Sequence, residues 1–267
     1  MERIQQALER VKQPQVQQGE VVTASSSLRD TVPDPIRYSG TKTRPSNLED
    51  LVARRVLTSD QHSPFVDAYK ILRTQVLHRL KEHRWNVIGV TSPGAQEGKT
   101  IVAVNLAISL ALEPNHTALL IDANLRNPQI HQLFDVDNYG LADYLLDQVS
   151  VSELLIHPEI DRLVVMPAGG PVKNSVETLT LAKMTTLVQE LKHRYTSRIV
   201  VFDLPPVLDT ADVIGIAPRL DALILVVEEG KTTEKRIREA LASVRETVPV
   251  LGVVMNKAGR LSGGVSS

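Results

Sequence analysis

Val87-Ile88-Gly89-Val90-Thr91-Ser92-Pro93-Gly94-Ala95-Gln96-Glu97-Gly98-Lys99-Thr100 decides the fold of this chain. It reads as a buried strand, then a glycine-containing loop, then Gly-Lys-Thr opening an apolar helix. Strand, loop and helix in that order form a phosphate cradle, because loop amides and the first N–H groups of the helix point donors at an anion. Lys99 then reaches the β- and γ-phosphates of a nucleotide, and the Thr100 hydroxyl sits on Mg²⁺. The segment departs from G-x-x-x-x-G-K-[ST] at its first position. Pro93 stands where the first glycine belongs, and Gly94 offers the turn one residue later. The competing reading, a chance Gly-Lys-Thr in a loop, does not account for the strand before it and the apolar run after it.

Two apolar runs end in a carboxylate: Ala118-Leu119-Leu120-Ile121-Asp122, and Ile199-Val200-Val201-Phe202-Asp203 followed by Leu204-Pro205-Pro206. Ligands of a parallel α/β sheet bind beyond the carboxyl ends of its strands, so both carboxylates face the crevice of the phosphate loop. One such Asp is as readily a helix N-cap; three strand-end features in this chain order point to one site. A magnesium nucleotide needs such groups, directly or through water, which makes Thr100, Asp122 and Asp203 the candidate metal residues.

The chain has 267 residues, 42% of them apolar and 3% aromatic, so its core is built of Leu, Ile, Val and Ala. That is enough for one substantial α/β domain plus extras. The absence of cysteine excludes disulfides, iron–sulfur clusters and thiolate chemistry and is compatible with a cytoplasmic location. A formal charge of −1 gives no argument for nucleic acid, and no such partner is expected. No apolar run approaches the roughly 20 residues of a membrane span, and Met1 to Leu8 does not read as a signal peptide.

Residues 1–60 are polar and irregular, with Pro33, Pro35 and Pro45 and a serine run at 25–27, and read as a flexible arm. Within it Ile4, Ala7, Leu8 and Val11 share one face of a short helix, either a docking stripe or a frayed end without a partner. The ordered domain is placed at 61–257, opening on Ser63-Pro64 as N-cap and N1 of a helix carrying Phe65, Tyr69, Leu72, Val76 and Leu80. Six strands are expected to end near Ser92, Asp122, Met166, Asp203, Glu228 and Asn256. Helices lie between most of them: one stopping at Pro114, one running from a capping box at Asn174 towards Tyr195, one from Thr232-Thr233 to near Val248. The alternation predicts an α/β P-loop NTPase fold, a mostly parallel twisted sheet with helices on both faces. Residues 258–267 read as a flexible Gly/Ser tail.

These residues resemble the bacterial tyrosine kinases of capsule and exopolysaccharide systems over about Phe65 to Lys257, and most closely the autokinase type encoded with exosortase genes. Thr91 to Thr100 resembles that family's Walker A; Leu120-Ile121-Asp122-Ala123-Asn124-Leu125-Arg126 its Walker A′, usually hydrophobic-Asp-x-Asp-x-Arg; Val201 to Pro206 its Walker B. Gly140 to Leu145, Met166 to Gly169 and Asn174 to Leu179 resemble later family segments. Asp67, Lys70 and Arg73 resemble, with two conservative departures, a Glu-x-x-Arg-x-x-Arg stretch used in oligomerisation.

The resemblance implies transfer of the ATP γ-phosphoryl group to tyrosine, commonly in trans between subunits, with Mg²⁺ as cofactor. The implied catalytic residues are Lys99, Asp122 as acceptor of the tyrosine proton, and Asp203 as Mg²⁺ holder through water. The implied nucleotide-facing set is Gly94, Glu97, Gly98, Lys99, Thr100, Ile101, Arg126 and Asn256. Arg126 is equally read as pairing with a local carboxylate, and Asn256-Lys257 as a strand-ending turn. The implied partners are protein tyrosine substrates, further copies of the chain, and an activating membrane polysaccharide chain-length protein that holds the chain at the inner membrane. Two departures matter. Asn124 replaces the second Asp of Walker A′, and an amide carries no charge. The family's C-terminal tyrosine cluster is absent, which leaves Tyr38 as candidate acceptor, with Tyr139 second. Two other readings stay open: a nucleotide-binding regulator without kinase activity, and a MinD/ParA-like positioning ATPase. The latter usually carries a Lys early in its P-loop, where this chain has Ser92, Pro93 and Gly94.

Overall fold

A computed structural model describes residues 42–44, 47–58, 63–146, 149–194 and 197–259. The expected helix in residues 1–11, Tyr38, Tyr195 and residues 260–267 lie outside the described residues. In chain order the elements are β1 (Lys42–Thr43), α1 (Leu48–Ala53), α2 (Pro64–His83), β2 (Val87–Thr91), α3 (Lys99–Ala111), β3 (Thr117–Asp122), α4 (Ile130–Leu133), α5 (Leu141–Leu145) and α6 (Val151–Leu154). There follow β4 (Ile156–His157), β5 (Leu163–Met166), α7 (Ser175–Thr180), α8 (Ala182–Arg194), β6 (Arg198–Asp203), α9 (Asp212–Ile216), β7 (Ala222–Glu228), α10 (Glu234–Val244) and β8 (Val250–Asn256).

The strands form one sheet in the order β1-β4-β5-β3-β6-β2-β7-β8, parallel throughout except between β4 and β5. Both faces are covered, and the side chains show it by their alternation. Leu119 and Ile121 of β3, with Val200 and Phe202 of β6, pack into the cluster that holds residues of α8, α9 and α10. Ala118 and Leu120, with Ile199 and Val201, pack into the opposite cluster under α2 and α3. A period of two that is apolar at both phases is the mark of a strand buried on both faces. Helix α3 is buried all round, as a helix apolar on every side must be. At α2, the Ser63 hydroxyl accepts from Val66 N at 3.3 Å and Pro64 fills the first helical position.

Two expectations change. The arm read over 1–60 is structured in its later part: β1 pairs with β4, and Leu51, Val56 and Leu57 are buried. The anchor is Asn105, fully buried within α3. Its Oδ1 accepts from Leu57 N at 2.8 Å and its Nδ2 donates to Arg55 O at 2.9 Å. The helix read from Asn174 towards Tyr195 is two helices, broken at Leu181, whose ψ is 145°. Asn174 makes no side-chain cap. The carbonyl of Thr180, freed by the break, accepts from the Arg219 guanidinium at 3.1 Å, which also holds Gly215 O and Thr185 Oγ1.

Candidate functional site

The loop Ser92–Gly98 crosses from the end of β2 to the first turn of α3, and the sequence builds it from both flanks. The Thr91 hydroxyl donates to Pro205 O at 2.7 Å and the Ser92 hydroxyl to Gly94 O at 2.6 Å. Gly98 has φ +89°, a left-handed conformation in which a Cβ would also collide with the Asn256 amide. Gln96, at φ +65°, takes the same region without being glycine. Beyond this loop the N–H groups of Lys99, Thr100 and Ile101 begin α3, where a helix has no carbonyls of its own to bond them.

The Glu97 side chain, expected among the nucleotide-facing groups, is bonded within the protein. It is buried, its Oε2 accepts from Gly94 N at 3.0 Å and its Oε1 accepts from the Thr232 hydroxyl at 2.6 Å. Its side chain is a brace of the loop. Asn256 donates from Nδ2 to Glu97 O at 2.9 Å, Lys257 from Nζ to Gln96 O at 2.8 Å, and Arg236 from Nη2 to Pro93 O at 3.3 Å. The end of β8 and helix α10 thus clamp the loop from outside. No local signal marks Thr232 or Arg236, because their partners lie more than a hundred residues away in sequence.

Asp203 closes β6 between β2 and β3, opposite Val90 on one side and Asp122 on the other. The Thr100 hydroxyl donates to Asp203 Oδ2 at 2.7 Å, and Lys99 Nζ lies 3.4 Å from the same hydroxyl. The other oxygen, Asp203 Oδ1, is buried without a partner. Burial pushes the Asp203 carboxyl up, while Lys99 and the Thr100 hydroxyl hold it down. Asp122 is also fully buried: Oδ1 accepts from Asn124 N at 3.1 Å, and Oδ2 from Gln129 N and Ile130 N, each at 3.0 Å. Its carboxyl is pushed up to about 7 by burial first and the Asp203 charge second, against the three amides. Asn124 is buried beside it.

Two buried carboxylates in register, one with an orphaned oxygen against a Thr hydroxyl, fit a hard cation that takes oxygen ligands and keeps water and phosphate in its shell. No cluster of three or more His, Cys, Asp or Glu suited to a metal occurs among the described residues. Arg126 is engaged by a different carboxylate: its Nε donates to Asp212 Oδ2 at 3.2 Å, and the buried Asp212 also accepts from the Ser175 hydroxyl at 2.9 Å. On α2, Arg73 donates to Ser109 O at 3.0 Å and pairs with Glu113 at 3.4 Å, while Lys70 pairs with Asp67 at 3.0 Å.

Sheet topology, loop and strand-end carboxylates together define a P-loop nucleotide-binding α/β protein. No protein-family model matches the chain. It is 31% identical over 194 residues to tyrosine-protein kinase YwqD of Bacillus subtilis, across 71% of this chain and 80% of that one. With the putative tyrosine-protein kinase EpsB of Ralstonia solanacearum it is 31% identical over 237 residues, covering 88% of this chain but 30% of that longer protein. The chain belongs to the bacterial tyrosine-protein kinases of capsule and exopolysaccharide systems. Among solved structures, the VpsO kinase domain superposes with a TM-score of 0.66 at 29% identity, over 73% of this chain and 96% of that one. MinD from Pyrococcus horikoshii, solved with Mg-ADP, shares the fold alone, with a TM-score of 0.56 at 20% identity over 66% of this chain and 72% of that one.

Proposed function

We propose that this chain is an ATP-dependent protein-tyrosine kinase acting in the control of exopolysaccharide or capsule synthesis and chain length. The observation that carries the proposal is the Lys99–Thr100–Asp203 group at the mouth of α3, with the buried, unpartnered Asp203 Oδ1. Thr100 and Asp203, the latter through water, would hold Mg²⁺, which when bound would supply charge neutralisation to the nucleotide phosphates. The N–H groups of Gly98, Lys99, Thr100 and Ile101 orient the phosphates, and Lys99 stabilises the charge that develops in transfer. The tyrosine oxygen attacks the γ-phosphorus, the bond to the β-phosphate oxygen breaks, and the phenolic proton passes to Asp122. Its carboxyl, raised to about 7, suits a base at neutral pH. Asp122 keeps one of about four carboxylate acceptor sites unused for this step.

Among the described tyrosines, Tyr69 is buried in the core, Tyr144 lies under the Lys183 ammonium at 4.4 Å, and Tyr139 is 48% exposed. We assign autophosphorylation first to Tyr38, outside the described residues, and second to Tyr139. A membrane chain-length protein as activator, self-association and a peripheral place at the inner membrane complete the reading. It is consistent with this that no helix among the described residues is long and apolar enough to cross a membrane. One observation favours a second reading, a regulator without kinase activity: Asn124 puts a neutral amide where the family carries a second carboxylate. Incubation with labelled ATP, with and without the membrane partner's cytoplasmic segment, followed by phosphotyrosine mapping, separates the two. Incorporation lowered by Tyr38→Phe supports the kinase. Tight MgATP binding without transfer to any protein supports the regulator.

A further inference from the structure

At the end of the sheet away from the P-loop, a hollow of about 620 Å³ opens between α2 and the chain entering β2, β3 and β6. Its described lining carries four cations, Lys81, Arg84, Lys192 and Arg198, and three imidazoles, with no carboxylate among those residues. Asp221, beneath, pairs with Lys192, so those two charges offset each other, and it also accepts from Asn86 N and Val87 N. Arg198 likewise has an interaction within the protein, so the exposed cations of the lining are Lys81 and Arg84. In a chain of net charge −1, Lys81 and Arg84 side by side with three imidazoles and no lining carboxylate make a local positive field, and concave low-dielectric walls focus it. Beside the polar Thr74 and Asn86, the lining has an apolar part: Leu77, Leu80, Ile199 and Trp85, whose ring is backed by the His83 ring stacked at 4.2 Å. The volume lies in the range of small-ligand sites, roughly 300–1,000 Å³.

We propose that this hollow binds a small organic phosphate. Guanidinium and ammonium groups receive the phosphate, and the indole and aliphatic floor receives a flat apolar body. A strand of five to six residues, about 17–20 Å, separates it from the P-loop, so it is a second site and does not depend on the kinase reading.

Trp85 is the single tryptophan of the chain, so its emission reports on this hollow. The full chain carrying Lys99→Ala, which disables the P-loop, is titrated with adenosine monophosphate and separately with inorganic phosphate. The expected result is a saturable change with adenosine monophosphate and at least about tenfold weaker binding of inorganic phosphate. Lys81→Gln with Arg84→Gln should weaken the nucleotide about tenfold or more, while MgATP binding in the Lys99-intact background stays unchanged. Should that pair unfold the chain, His78→Glu on the exposed face of α2 makes the same test. No saturable change, equal affinity for the two ligands, or affinity unaltered by a folded charge variant overturns the proposal.

Discussion

Asp122 and Asp203 end neighbouring parallel strands in the same register, and both are fully buried, yet the protein surrounds them in opposite ways. Three backbone amides fill the Asp122 carboxylate and tie the loop 124–130 to the end of β3. Asp203 has one hydroxyl donor and one oxygen with none. A buried acceptor without a partner costs about 1–3 kcal/mol, more if charged, and such a cost persists where something outside the chain completes the group. The first aspartate is therefore tied into the fold; the second keeps an open acceptor, as the proposed cation site requires.

The largest effect should come from the cation beside Asp203. Lys99→Ala should lower phosphoryl transfer by about a thousandfold or more and remove productive MgATP binding. Calorimetry showing unchanged MgATP affinity in a folded variant would refute the P-loop assignment. Substituting the two aspartates should separate activity from stability. Asp203→Asn should cut transfer about a hundredfold or more, while the nucleotide-free chain keeps its stability or gains about 1 kcal/mol. At about pH 4, where the native carboxyl is protonated, Asp122→Asn should lose about 2 kcal/mol in urea unfolding, since its amide nitrogen cannot accept from the loop. Equal stability losses in both variants would erase the contrast.

The acid–base behaviour sharpens it. In the unfolded chain Asp122 titrates near 3.8, and in the native chain near 7, so between those values the native state holds a proton that the unfolded state has released. Its contribution to stability is fully present below about pH 4 and is lost as pH rises towards 7. The nucleotide-free protein should therefore fall in stability across that window relative to Asp122→Asn, by at most about 4 kcal/mol. Asp203→Asn, by removing the neighbouring charge, should narrow the window. Parallel pH profiles for wild type and Asp122→Asn would show that Asp122 does not titrate there. The smallest effect is expected at Asn124→Asp, a rise in transfer of less than about tenfold with a steeper Mg²⁺ dependence. Identical turnover and Mg²⁺ requirement would show that charge at 124 does not limit the reaction.

The six principal strands and the helix after the P-loop were legible because each is a local pattern: apolar residues at both phases of a two-residue period, ended by a polar residue or a proline, or a glycine-lysine-threonine before an apolar run. Lys99, Thr100, Asp122 and Asp203 were legible as a set because parallel topology carries strand ends to one edge. Strands β1 and β4, with two residues each, have no period to read. The burial of Leu51, Val56 and Leu57 goes with Asn105, 48 residues beyond Leu57, which holds Leu57 N. Glu97 could be placed at the loop by sequence, but the direction of its carboxylate could not, because Thr232, 135 residues distant, donates to it. Arg126 likewise has two sequence readings, and Asp212, 86 residues away, supplies the carboxylate found beside it. Periodicity and turn chemistry are written in neighbouring residues, so the sequence alone determined the elements and which strand ends carry chemistry. Which lone pair each polar group fills is a contest among groups far apart in the chain, and only the packed tertiary structure decides it.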